Sequence, residues 1–217
     1  MANGTTRPRG IVRADSLSRL SGAGVQALVD FGIRTVIDLR RQSEIEDDPN
    51  PLRLHHGITY RHLPLQSDVT DALMPRVETG EIADRLTVDL SRRNVARIFK
   101  TIASALGGGV LFHCAAGKDR TGIVAALLLA LVGASPEVIV ADYVLSDEAL
   151  RRFHEQWLAD AHPLDRDRVY SLIVCRPERP VALLDHMSRR YGGVESYLIG
   201  SGVEQDEIAR VRGRLVA

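Results

Sequence analysis

The sequence predicts an α/β fold in a single domain: a mostly parallel central sheet flanked by helices, with the carboxyl-terminal third helical. Three features of its 217 residues carry that prediction. Short runs of β-branched and bulky aliphatic residues at 35–39, 58–63 and 110–112 recur in the first half, with helical patterns between them, the alternation from which parallel sheets are built. After the last of these runs comes a compact loop and then 123–132, an unbroken stretch of Ile, Val, Ala and Leu between Gly122 and Gly133. A helix that is apolar nearly all round is a buried one. Beyond residue 135 only helical patterns remain, punctuated by Gly192-Gly193 and by Gly200 and Gly202.

Taken in order, residues 1–9 are polar, contain a proline and are expected to be loosely ordered. A short edge strand over 10–14 follows. Ser21 caps a helix over 23–31, which Gly32 ends in the position where a left-handed residue is wanted. The second strand, 35–39, has β-branched residues suited to a buried parallel position, and Asp38 and Arg40 fall at its end. Ligand crevices in such sheets lie off the carboxyl ends of the strands, so this pair either rims a site or forms an ion pair with no contact to substrate. Residues 41–51 read as a charged surface loop with Glu44 in reach of Arg40. The third strand, 58–63, stops at Pro64. Residues 65–74 carry Asp68 and Asp71 and few structure formers, which suits a loop closing over a crevice. Apolar residues at helical spacing from 83 to 106 predict one long amphipathic helix leading into the strand at 110–112. Ser135 and Pro136 begin a further helix, Asp147 another that runs to about 161 with Trp157 on its apolar side, and 177–191, 194–199 and 204–215 are three more.

Composition narrows the function. Lys plus Arg equals Asp plus Glu at 28 each, so the chain has no overall field for nucleic acid and any anion selectivity must be local. Two cysteines, Cys114 and Cys175, are too few for a disulfide framework and suit a cytoplasmic enzyme. Cys175 has no activating motif and reads as a buried small residue. The longest apolar run is about half of a membrane span, and residues 1–10 hold no apolar segment that could act as a secretory signal, so no integral membrane segment is expected. The histidines lack metal-ligand spacing, and no metal or other cofactor is predicted.

The chemistry is concentrated in 113–122, His-Cys-Ala-Ala-Gly-Lys-Asp-Arg-Thr-Gly. A strand, a tight loop and a helix in that order aim the backbone N–H groups of Ala115, Ala116, Gly117, Lys118, Asp119 and Arg120, together with the positive end of the helix dipole, at one point, which is how an oxyanion is held. Cys114 and Arg120 are six positions apart, so a sulfur can lie beneath a bound phosphate while the guanidinium grips its oxygens from the side. An electropositive helix N-terminus beside a fixed cation favours a thiolate, the form that attacks. The Thr121 hydroxyl is placed to donate to that sulfur, and His113 to hold the loop by hydrogen bonds. A nucleotide-binding Gly-x4-Gly-Lys-Ser/Thr loop is excluded, because Asp119 follows Lys118 and Phe112 stands where the first glycine belongs.

These residues resemble the Cys-x5-Arg signature of the protein tyrosine phosphatase superfamily, and the Lys-Asp-Arg-Thr-Gly ending resembles that of the bacterial tyrosine and phosphoinositide phosphatases, a group with a secreted mycobacterial member. Arg13-Ala14-Asp15-Ser16-Leu17, the stretch 32–40, and Tyr191-Gly192-Gly193 with Tyr197-Leu198 are similar to that group as well. The resemblance implies a tyrosine-phosphatase-like fold over 1–217 and hydrolysis of phosphate monoesters through a phosphocysteine on Cys114. It implies a phosphotyrosine protein or a phosphoinositide as substrate, and inorganic phosphate as product or inhibitor. It also allows export without a signal, and it offers two candidates for the general acid. One is Asp68, on a separate mobile loop as in most of the superfamily; the other is Asp119, within the loop as in this group. Lys118 either contacts a second phosphate on an inositol ring or is a solvated lysine that tunes the loop.

Overall fold

The computed structural model describes residues 5–216, the side chains of Arg152, Arg168 and Leu172 aside. Its elements are β1 (Ile11–Ala14), α1 (Gly22–Phe31), β2 (Ile33–Asp38), α2 (Gln42–Asp47), β3 (Thr59–His62), α3 (Asp68–Leu73), α4 (Gly80–Leu90), α5 (Arg92–Ser104), β4 (Gly109–His113), α6 (Asp119–Leu131), α7 (Pro136–Asp160), α8 (Arg166–Ile173), α9 (Glu178–Tyr191), α10 (Val194–Gly200) and α11 (Gln205–Leu215). The strands pair in the order β1-β4-β2-β3, all parallel. β4 is therefore flanked on both sides, and all five of its residues are buried.

Period-two alternation in the strands sorts the core into two layers. Val110 and Phe112 of β4 and Ile37 of β2 face the larger cluster, which α5, α6, α9, α10 and α11 complete; Leu111 and Val36 face the smaller one, closed by α1. α6 is the central helix of the larger layer. Its Ile123, Val124, Leu127, Leu128 and Leu131 are at most 4% exposed, and each such side chain contributes about 1.5–3 kcal/mol of burial free energy. This packing fixes the start of α6 just beyond the end of β4. Among the described residues, no helix is long and apolar enough to cross a membrane.

Several boundaries differ from the sequence reading. The long helix expected over 83–106 is two, because Ser91 leaves helical geometry (φ −112°, ψ 26°) while its N–H still closes on the Thr87 carbonyl and its own carbonyl starts α5. The Ser91 hydroxyl is drawn off to Thr70 and the Ser67 amide. Both helices face one core, so the apolar period runs through the break. The two charged segments read as loops contain α2 and α3; the second is capped by Ser67, whose hydroxyl accepts from the Thr70 N–H. α7 runs unbroken through Asp147, whose carboxylate accepts from the Cys175 N–H (3.0 Å) instead of capping a new helix. Trp157 on it is 39% exposed. The helix α8 had no signal of its own. At the amino end, residues 1–4 lie outside the described residues, while Thr6 bridges to Val216 and the Arg7 N–H donates to the Leu215 carbonyl (2.6 Å).

Candidate active site

The loop leaves β4 at His113 and enters α6 at Asp119. It can turn this tightly because Gly117 adopts φ 66° with its Cα against the strand β1: a Cβ there would meet the Ala14 carbonyl oxygen at 2.7 Å. Lys118 stands at the helix N-cap, where its ammonium, a donor only, leaves the first-turn amides without a side-chain cap. Cys114 is 2% exposed, at the base of the loop and within electrostatic range of Arg120; Ala115 is exposed and Ala116 half-buried.

Behind the loop stands a buried polar network. Arg40 forks onto Asp38 through Nε (3.0 Å to Oδ1) and Nη2 (2.8 Å to Oδ2), and the two residues are 1% and 0% exposed. Tyr60 donates to Asp38 Oδ2 (2.9 Å), which also lies 3.2 Å from His113 Nε2. His113 is tied further to the Asn50 side chain (3.0 Å) and, through Nδ1, to the Cys114 carbonyl (3.1 Å). Burial pushes the Asp38 carboxyl up, but the hydrogen bonds with His113 and Arg40 outweigh it and hold the group well below the usual carboxylate range. Asp38 and Arg40 form an enclosed strand-end ion pair that reaches the loop through His113 and, from Arg40 Nη1 (3.3 Å to the Ser16 hydroxyl), through Ser16.

In front lies a crevice of about 450 Å³, lined among others by Arg41, Met74, Val77, Asp119, Arg120 and Arg179. The Arg120 guanidinium is held by Glu44 of α2, Nη1 to Oε2 at 2.5 Å and Nη2 to Oε1 at 2.8 Å. Glu44 thus pairs with Arg120 and Arg41, and not with Arg40 as its sequence position suggested, because Arg40 is consumed by Asp38. Burial raises the Glu44 carboxyl, but the hydrogen bond and charge of Arg120, with those of Arg41, together outweigh it and bring the group down to about 2.

Asp119 opens α6 beside Arg120, half-exposed, with Oδ1 accepting from Arg179 and 3.4 Å from Lys118 Nζ. Arg179 of α9 is in turn forked onto Asp84 of α4 (Nε 3.0 Å, Nη2 2.7 Å), and it passes so close to Gly80 that a Cβ there would lie 2.6 Å from its Cζ. Enclosure raises the Asp84 carboxyl to about 6 in spite of Arg179. Lys118 is neither solvated nor directed into the crevice; it is 3% exposed and donates to the Ile173 carbonyl (3.1 Å). The Thr121 hydroxyl is buried without a hydrogen-bond partner, so its expected donation to the sulfur is not made: as the third residue of α6 it is enclosed by the helix packing. Asp68 is exposed at the first position of α3 and is not part of the crevice lining. Asp71, three residues on, is the member of α3 that feels Arg41, Arg120 and Glu44; burial raises its carboxyl. Cys175 is buried, and that burial pushes its thiol up to about 12.

Sequence reasoning brought Cys114, Lys118, Asp119 and Arg120 together because they are neighbours in the chain. It missed Glu44, Asp84 and Arg179, which join the site from α2, α4 and α9. Glu44 carried one local trace, a reciprocal cap in which its carboxylate accepts from the Arg41 N–H (2.8 Å). Asp84 and Arg179 are 95 residues apart and carried none.

A sequence model of the tyrosine phosphatase family matches residues 1–217. The chain is 32% identical over 217 aligned residues to a tyrosine-protein phosphatase of Nostoc commune, covering 94% of this chain and 73% of that one. It is 30% identical over 254 aligned residues to the triple specificity protein phosphatase PtpB of Mycobacterium tuberculosis, covering 97% of this chain and 92% of that one.

Proposed function

Because this chain belongs to the tyrosine phosphatase family, we propose that it hydrolyses phosphotyrosine in protein substrates through a phosphocysteine intermediate on Cys114. The observation that carries the reading is the loop itself: a cysteine at its base, the uncapped amides of a helix N-terminus around it, and at its rim an arginine held in place by Glu44. In the first step Cys114 Sγ attacks phosphorus in line, the S–P bond forms, the P–O bond to the tyrosine breaks and the leaving oxygen takes a proton. In the second step water attacks phosphorus, the S–P bond breaks and orthophosphate leaves. Loop amides and Arg120 stabilise the charge on the equatorial oxygens. Asp119 is the proton donor in this reading, since it lines the crevice beside Arg120, whereas Asp68 does not.

The charge pattern supports an aryl ester over a polyphosphorylated inositol. Among the described residues, the cations at the cradle have acidic partners: Arg41 and Arg120 pair with Glu44, Arg179 with Asp84 and Asp119, Lys118 with Asp119, and Arg13 with Asp142. Met74, Val77 and Ile123 offer an aromatic ring apolar contact. The test is turnover of a phosphotyrosine peptide against soluble inositol phosphates and phosphoinositide vesicles, in EDTA, by wild type and Cys114→Ser. Peptide turnover that vanishes in the variant is expected. Faster turnover of the inositol compounds would move the substrate to the phosphoinositides, and phosphopeptide binding without turnover by wild type would make the chain a binding module.

A further inference from the structure

The cradle is aimed from outside. Two loop carbonyls are tied to the segment that begins with β1: the Ser16 N–H donates to the Ala115 carbonyl (3.0 Å), and Arg13 Nη2 donates to the Gly117 carbonyl (2.8 Å). In a trans peptide, the C=O of one residue and the N–H of the next point in opposite directions, and no cis bond occurs among the described residues. Drawing the Ala115 oxygen to Ser16 therefore turns the Ala116 N–H away from β1, into the hollow of the loop. Drawing the Gly117 oxygen to Arg13 does the same for the Lys118 N–H.

Arg13 does more than donate once. Its Nη1 donates to Asp142 Oδ2 (2.6 Å) and its Nη2 also donates to Ser146 Oγ (2.7 Å), two residues one turn apart on α7. The guanidinium, with its side chain 19% exposed, is thus a junction of β1, the loop and α7. Several acceptors in fixed directions suit a planar fork and not an ammonium. Building on the phosphatase reading above, we propose that Arg13 is a positioning residue of the phosphate cradle: through the Gly117 carbonyl it directs the Lys118 amide at the bound phosphate, with Asp142 and Ser146 as its anchor. It touches no substrate atom.

The test measures orthophosphate binding by calorimetry, kcat and KM on an aryl phosphate, and melting temperature, for wild type, Arg13→Lys, Arg13→Ala and Asp142→Asn. Arg13→Ala is expected to bind orthophosphate about 10- to 100-fold more weakly and to lose kcat/KM in the same proportion, the scale of loss that misplacing a binding group brings. Added guanidinium ion should restore part of both, while Arg13→Lys should recover stability but not affinity. Folded Arg13→Ala with wild-type phosphate affinity overturns the proposal, as does a loss that follows melting temperature alone and ignores guanidinium. If Arg13→Ala does not fold, Asp142→Asn decides: weakened phosphate binding supports the anchor, and unchanged binding sinks it. Wild type that neither binds orthophosphate nor turns over the ester would overturn the phosphatase reading, and this inference with it.

Discussion

The two ionic networks on either side of the loop use the same chemistry to opposite ends. Behind it, Asp38 and Arg40 are 0% and 1% exposed, and every neighbour is a fixed donor or acceptor. In front, the Arg120–Glu44 and Arg179–Asp119 pairs stand at the wall of a crevice, with side chains between 7% and 47% exposed. A fully enclosed pair is expensive to break because the survivor keeps an uncompensated charge; at a crevice wall, solvent screens the charge that a broken pair leaves behind. The rear network therefore holds the loop from behind, while the front one lines the crevice. Ion pairing by itself does not tell the two apart; enclosure does.

That contrast can be broken by substitution. The largest effect belongs to the front: Cys114→Ser should reduce turnover of an aryl phosphate by about 10⁴-fold or more, the scale on which losing a nucleophile acts, while orthophosphate still binds. Residual turnover near that of wild type would remove Cys114 from the mechanism. Next comes the rear. Asp38→Asn leaves Arg40 enclosed without a counter-charge and should lower the free energy of unfolding in urea by about 3–5 kcal/mol. If it instead lowered kcat while sparing the urea midpoint, Asp38 would belong with the front group.

Smaller effects sharpen the comparison. Glu44→Gln frees Arg120 from its bidentate hold, and kcat/KM should fall about tenfold through a less well placed guanidinium, with a modest change in stability. Glu44 also marks the acid side: held at about 2 against an ordinary 4.5, it contributes stability that is complete above pH 4.5 and is lost as pH falls through 2. Asp84 acts with the opposite sign. Its carboxyl is raised from 3.8 to about 6, so the folded chain binds this proton more tightly than the unfolded one, and stability falls as pH rises from about 4 through 6. Asp84→Asn should flatten that decline in urea midpoints recorded at intervals from pH 4 to 7. An unchanged slope would assign the decline to another group.

How much of this was legible follows from what each feature depends on. The strand-to-helix loop could be read residue by residue, because Cys114, Gly117, Asp119 and Arg120 are near neighbours in the chain and their placement around one loop follows from that proximity. The helix caps at Ser21 and Gly32 were equally local: the Ser21 hydroxyl accepts from the Gly24 N–H, and Gly32 sits at φ 101°. Local reasoning failed where side chains had a choice of partner. Lys118 was open either to a second phosphate or to solvent and is enclosed, donating to the Ile173 carbonyl of α8; Glu44 looked like a partner for Arg40 and serves Arg120; Asp147 looked like a helix cap and holds the Cys175 amide. Each time the competing partner is supplied by an element distant in the chain, and no periodicity records it.

The layer architecture and the composition of the cradle are legible in the chain, because alternation, apolar period and chain-neighbour spacing are properties of short stretches. Which charges are enclosed and which face the crevice is settled by the packing of distant elements. That division depends on where α2, α4, α7 and α9 pack around the loop, and so on burial, which sets the strength of every ion pair and is a property of the assembled chain.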